Sequence, residues 1–234
     1  MDFLADGIRR ALALLFSGDA EVFSTALVSF KVAIFATFFA CALGIPTGFA
    51  LATRRFWGRR VALTVVNTAL AFPTVVVGLV IYGLLSRRGP LGGLGWLYTW
   101  QGIVVADVVL ALPIAAALSA AAVQGVDPRV RRTALTLGAS SWRANLTVAR
   151  EARFALVAVV TAAFGQVVAE VGAALIVGGN VRHETRTLTT AVALATAQGD
   201  FGFALALGFV LLTVALLVNI ALQALQGRGD RGRA

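Results

Sequence analysis

The stretch DPRVRRTALTLGASSW, Asp127 to Trp142, is a charged interruption between two long apolar runs, and what it becomes decides how the rest of the chain is arranged. Asp127-Pro128 reads as a helix start: the carboxylate can accept from free N–H groups of the first turn, and proline suits the first helical position because the N–H it lacks would have no partner there. Gly138 reads as a stop of the left-handed type. A helix of this length is marginal alone in water. Val130, Ala134 and Leu137 fall at i, i+4 and i+7 and make one apolar edge, whereas Arg129, Arg131 and Arg132 project elsewhere. Ser140 or Ser141 can then cap a second helix beginning near Trp142, which leads through Arg150, Glu151 and Arg153 into the next apolar run. A capped helix this short has two uses. It lies on a membrane surface, with its arginines at the headgroups and Trp142 in the aromatic belt, or it docks into another protein.

The flanking sequence makes the setting a membrane. Hydrophobic residues are 59% of the chain and charged residues 13%, against roughly 25% charged in an ordinary soluble domain. Val32 to Ala52, Val61 to Leu85 and Phe201 to Gln226 carry no charge; Trp100 to Val123 carries only Asp107, and Phe154 to Val181 only Glu170. Each reaches the ~20 residues that a helix needs to cross ~30 Å of hydrocarbon. Lipid offers no partners to backbone N–H and C=O groups, so the runs predict helices, and Pro46, Pro73 and Pro113 do not argue otherwise. The expected fold class is all-α integral membrane, with spans near 24–53, 61–85, 100–123, 154–180 and 201–226, a loop over 124–153, and no further domain within 1–234.

Basic residues set the expected orientation. Arg54, Arg55, Arg59 and Arg60 follow the first span; Arg129, Arg131, Arg132, Arg143, Arg150 and Arg153 lie between the third and fourth; Arg228, Arg231 and Arg233 form the tail. With five spans these regions share one side, which predicts a cytoplasmic C-terminus and an external N-terminus; Arg87, Arg88, Arg182 and Arg186 then face outward. The net charge of +9 is explained by this topology and needs no nucleic acid. Residues 1–22 start acidic around the short apolar run ALALLF, which suits an uncleaved amphipathic helix on the outer surface better than a signal peptide.

Several chemistries are disfavoured by composition. Cys41 is the single cysteine and His183 the single histidine, so a disulfide framework, a thiolate or histidine metal site and a serine triad within one chain are not expected. The single lysine is Lys31, outside any glycine-lysine-Ser/Thr loop, so ATP-driven work would need an ATPase on another polypeptide.

That requirement meets a resemblance. ALTLGASSWRANLTV, residues 134–148, resembles the cytoplasmic loop motif of ABC-importer permease subunits, which begins Glu-Ala-Ala, has glycine four residues after its last alanine and ends near Leu-Pro. Ala134 and Gly138 match; Arg132 stands where the family has glutamate, and Arg150-Glu151 where it has Leu-Pro. Residues 58–92, 107–140, REAR at 150–153, EVGAALIVGGN at 170–180 and TRTLTTAVALATAQGDF at 185–201 extend the similarity, roughly from Arg54 to Asn219, to permeases of tungstate-type importers, which are related to the molybdate permeases. The resemblance implies the type I ABC importer permease fold in a prokaryotic inner membrane and a homodimer around a central path. It also implies separate ATPase subunits that bind ATP and magnesium, and an extracytoplasmic oxyanion-binding protein. Arg132, Thr133, Ala134, Leu137, Gly138 and Ala139 would then form the coupling helix and its end, which fits a groove on the ATPase. A molybdate or other oxyanion permease is the nearest alternative. A proton-coupled secondary transporter and a non-transporting scaffold are the more distant ones; five spans without repeats is small for the former.

The segment after the fourth run adds a polar feature. Thr187 to Ala197 is apolar but, at 1.5 Å per residue, spans only ~16 Å as a helix, too short to cross and so re-entrant or interfacial on the outer side. Thr187, Thr189 and Thr190 stand at its start, where free N–H groups favour anions, and Asn180, Arg182 and Arg186 precede them. Asn180, Arg182, Arg186, Thr189 and Thr190 are therefore candidates for an outer gate or anion path; the competing role is lipid contact or pairing of the arginines with Glu184, with the threonines as caps. Lys31, Asp107 and Glu170 are ionisable residues within spans and default to functional candidates. Lys31 is expected to snorkel. Asp107 and Glu170 are expected to face the subunit interior, with Gln166, Asn67 or Lys31 as partners.

Overall fold

A computed structural model describes residues 5, 8–9, 12–13, 20–54 and 56–227. The expected surface helix over 1–22, Arg55 and the tail arginines Arg228, Arg231 and Arg233 fall wholly or largely outside the described residues. The regular secondary structure of the described residues is helical only. They are α1 (Ala20–Thr53), α2 (Arg59–Ala69), α3 (Thr74–Leu85), a short 3-10 turn at Gly92–Leu94, α4 (Trp100–Gln124), α5 (Pro128–Thr136), α6 (Ser141–Glu151), α7 (Arg153–Val168), α8 (Gly172–Gly178), α9 (Leu188–Ala197) and α10 (Phe201–Gly227). Three helices, α1, α4 and α10, are long and apolar enough to cross a membrane by themselves.

The remaining two apolar runs are broken, where a single helix was expected of each. The run 61–85 turns by 103° between α2 and α3. Pro73 is the cause: it cannot donate into a helix ladder, it biases Phe72 away from helical geometry, and it stands as the extended residue that starts α3. Pro46 and Pro113, by contrast, sit inside continuous α1 and α4. The run 154–180 divides into α7 and α8 around Glu170, and α7 itself leaves α6 at an angle of 66°. Irregular backbone at such a depth is tolerated only where protein satisfies it. Here the Glu170 side chain accepts from the Ala173 N–H at 2.9 Å, and its backbone carbonyl accepts from Thr189 Oγ1 at 2.7 Å.

Small residues allow the helices to approach closely. The main core joins Val32, Ala33, Ala36 and Ala40 of α1, Ile103, Ala111 and Ala115 of α4, and Val159, Ala163 and Phe164 of α7. A side chain is excluded at Gly44 and Gly48 of α1, where an added Cβ would lie 2.6 Å from Ala115 Cβ and 2.8 Å from Ser119 Cβ. Lipid gives helices no hydrophobic reason to associate, so such close backbone contact supplies the dispersion that holds them. A second cluster packs α3 and α8 against α4 through Val77, Ile81, Leu110 and Val177. A third seats the α9–α10 hairpin on α1 through Val22, Leu188, Ala191 and Leu207.

Two ends follow from these contacts. Arg54 and Arg59 line one cavity with Arg131 and Arg132, so the α1–α2 and α4–α6 connections share an end. At the opposite end the Tyr98 N–H donates to the Val177 carbonyl at 2.9 Å and His183 lies 3.0 Å from Ser24 Oγ. The α1–α2 and α4–α6 connections therefore lie at one end, and the loops before α4 and after α8 at the other.

Candidate coupling helix and polar clusters

The opening stretch folds as its residues dictate. Asp127 Oδ1 accepts from the Arg129 N–H at 2.8 Å and Pro128 is the first residue of α5. At the other end Gly138 takes φ 86°, the Ala139 N–H reaches the Ala134 carbonyl at 3.0 Å and the Gly138 N–H reaches Leu135 at 3.0 Å. This paired arrangement closes a helix with glycine in the left-handed position. Of the two serines, Ser140 is the cap of α6, with its hydroxyl 3.4 Å from the Arg143 N–H. Arg131 Nε donates to Asn145 Oδ1 at 3.1 Å and ties α5 to α6. Val130 and Ala134 are half-buried on that side. Leu137 is 82% exposed and Trp142 75% exposed, an apolar end with no cover from the described residues. Arg132, Thr133 and Gly138 are also exposed and Ala134 and Ala139 half-buried, and Arg132 lines the cavity shared with Arg54, Arg59 and Arg131.

At the opposite end the five anion-path candidates come together, but mostly as partners of one another and of α1. Arg186 pairs with Glu21, and Arg182 Nη2 lies 3.0 Å from Glu21 Oε2. The acid that meets the arginines is therefore Glu21 of α1 and not the adjacent Glu184. Arg186 is largely buried, whereas the Arg182 side chain is 66% exposed. Thr187 is the cap of α9: its hydroxyl accepts from the Thr190 N–H, and Thr190 Oγ1 accepts in return from the Thr187 N–H at 2.9 Å. Thr190 Oγ1 also donates to Asn180 Oδ1 at 3.0 Å. Thr187, Thr189 and Thr190 are buried, so the start of α9 is satisfied inside the protomer and its hydroxyls do not form an open mouth.

The structure also shows what the one-dimensional pattern did not reveal. Thr185 is fully buried; its Oγ1 donates to the Gly178 carbonyl at 2.6 Å and accepts from the Val181 N–H at 2.8 Å, fixing the turn that carries Arg182. Glu21 was hidden by its distance of more than a hundred and fifty positions from the arginines it joins. Gly44 and Gly48 did carry a signal, the small-residue spacing of packed membrane helices.

The intramembrane ionisable residues divide. Lys31 Nζ lies 3.7 Å from the centre of the Trp100 ring, a cation–π contact, and its side chain stays exposed. Asp107 and Glu170, 2% and 6% exposed, line one small cavity together with Ser29, Thr187 and Thr189. Its volume of about 20 Å³ has room for a single water. Glu170 is held by Ala173, not by Gln166, Asn67 or Lys31, and Asp107 Oδ1 has no hydrogen-bond partner. Among the described residues no group of three or more His, Cys, Asp or Glu side chains is placed to hold a metal ion.

A family model described as the binding-protein-dependent transport system inner membrane component matches residues 44–231. The chain belongs to that family. It is an inner-membrane permease subunit without catalytic chemistry of its own, and ATP is bound by a separate ATPase subunit. The permease is 38% identical over 222 residues to the tungstate uptake system permease protein TupB of Campylobacter jejuni, covering 94% of this chain and 92% of that one. It is 40% identical over 220 residues to a probable anion ABC transporter permease protein of Haloferax volcanii, covering 90% and 94%. In three dimensions it matches a chain of a bacterial alginate ABC transporter, solved in complex with an alginate pentasaccharide-bound periplasmic protein. The TM-score is 0.70 at 16% identity, over 90% of this chain and 80% of that one. The fold is that of type I ABC importer permeases.

Proposed function

We propose that the permease forms, as a homodimer, the membrane path of an ATP-driven tungstate importer, with α5 docking on the ATPase at the cytoplasmic side and the α8–α9 loop facing the external binding protein. The observation that carries the cargo is the 38% identity with the C. jejuni tungstate permease over nearly the whole of both chains. A second reading, transport of another tetrahedral oxyanion, is favoured by the similar identity with the H. volcanii anion permease. Uptake of labelled tungstate by cells carrying the whole system decides between them. Tungstate should be taken up in the presence of equal molybdate and sulfate; equal competition by either would move the assignment to a broader oxyanion importer.

The homodimer is supported by what fills the protomer. Alanine-rich packing joins α1, α4 and α7, and the cavity among them that holds Asp107 and Glu170 has room for a single water. A path for tungstate therefore runs between two copies. ATP-driven closure of the ATPase pair would draw the two α5 helices together and open the path outward; release after hydrolysis would return it inward.

At the outer mouth, Arg182 is the candidate with a free face, and Arg186 supports it through their shared Glu21. Asn180, Thr189 and Thr190 contribute by holding that loop in place. The role of Arg182 is electrostatic attraction, which salt screens. Arg182→Ala should slow tungstate uptake ~10-fold at low ionic strength, with unchanged expression, and the deficit should shrink as salt is raised. Arg186→Ala should lower expression as well, because it leaves part of the Glu21 charge uncompensated at a half-buried site. Uptake by Arg182→Ala equal to that of the parent would leave these arginines with a purely structural role.

A further inference from the structure

Four arginines converge on one cavity of about 500 Å³ at the end that carries the coupling helix. Arg54 follows α1, Arg59 opens α2, and Arg131 and Arg132 come from α5, so three helical elements contribute. Two of them are held in place: Arg59 Nε donates to the Leu51 carbonyl at 2.7 Å, and Arg131 Nε donates to Asn145. The single carboxylate in the lining is Asp127, and its Oδ1 is engaged as the cap of α5. The cavity is therefore strongly cationic, yet Ala52, Val123, Val126 and Val148 also line it, giving it an apolar wall.

We propose that this cavity binds the headgroup phosphate of an acidic phospholipid and so ties the α1–α2 elbow to the coupling helix. The elbow beside it argues for a lipid source. Phe56 is exposed and Trp57 fully exposed, immediately between Arg54 and Arg59. Bare aromatic rings interleaved with arginine mark the membrane–water interface, where rings meet the glycerol level and guanidinium groups meet phosphate. Basic pockets between membrane helices hold such headgroups through bidentate contacts to phosphate oxygens. Bound there, the headgroup bridges Arg54 and Arg59 to Arg131 and Arg132 and limits the freedom of a helix too short to be rigid alone. The same cations explain the position of Arg132: it serves the lipid side of the coupling helix. The proposal rests on the membrane placement of the permease and not on its cargo.

The full-length permease, purified in detergent, is tested for retention of phosphatidylglycerol against phosphatidylcholine by native mass spectrometry. Phosphatidylglycerol should be preferred, and Arg54→Gln with Arg132→Gln should weaken that preference by about fivefold for each arginine removed. Arg88→Gln, at the opposite end, should leave it unchanged. Millimolar inorganic phosphate or tungstate should not displace the lipid. An unchanged preference in the double variant overturns the proposal, and so does ready displacement by phosphate or tungstate, which would make the cavity a site for free oxyanion. Because the readout is lipid retention, failure here leaves the tungstate reading standing, and failure of tungstate transport leaves this site standing.

Discussion

Gly138→Val is expected to cut ATPase co-purification and ATP-driven uptake by about tenfold while leaving the amount of permease in the membrane unchanged. Gly138 holds φ 86° in open surroundings, so an added side chain meets no neighbour and the penalty is conformational alone. An L-residue pays roughly 1–2 kcal/mol in this region, valine more because it is β-branched, and 1.4 kcal/mol is a factor of ten in an equilibrium. The strain unseats the Ala139-to-Ala134 and Gly138-to-Leu135 bonds that end α5, and with them the placement of exposed Leu137. Asparagine tolerates the left-handed region, so Gly138→Asn should stay close to the parent. This contrast separates backbone geometry from simple loss of glycine. Co-purification of the ATPase with Gly138→Val at the parental level would remove α5 from the coupling surface.

Gly48→Leu is expected to have the largest effect on the fold itself. At this position α1 approaches α4 so closely that a Cβ would fall 2.8 Å from Ser119 Cβ and 2.9 Å from the Ala120 nitrogen, as well as against the Ala116 carbonyl. Two of those three neighbours are backbone, which cannot rotate away. The helices must separate along the seam of Ala36, Ala40, Ala111 and Ala115 that forms the main core. Overpacking of this kind costs about 1–3 kcal/mol, or roughly 2–12 °C in apparent Tm for a chain of this size. Gly48→Ala should show a smaller loss and Gly83→Ala, where no neighbour stands within 4 Å of the added Cβ, little beyond experimental scatter. Equal melting of Gly48→Leu and the parent would mean that the α1–α4 contact does not hold the protomer together.

What the chain revealed before folding, and what it concealed, both have physical reasons. Asp127, Pro128, Gly138 and Ser140 act on their immediate neighbours, so the ends of α5 and α6 could be read directly from type and spacing. The short α9 was legible for a similar reason, since length alone shows that it cannot cross. Breaks in the apolar runs were less visible because proline has context-dependent effects: Pro46 and Pro113 pass within helices, while Pro73 turns the chain by 103°. The break at Glu170 depends on Thr189, a residue of α9 that closes on it only in three dimensions. Long-range polarity was the least legible. Glu21 at the start of α1 meets Arg182 and Arg186, and Asp107 of α4 meets the cavity of Glu170, through folding that brings distant segments together. The anion-path candidates lie near one another, and most of them hold the loop's own scaffold.

The most direct test of ATP-driven transport is uptake by sealed vesicles containing the permease and its ATPase, supplied with the external binding protein. Labelled tungstate should enter only when ATP is provided on the ATPase side, and a proton gradient should not replace it. Tungstate accumulation driven by a proton gradient in vesicles that hold the permease without the ATPase would contradict ATP-driven transport.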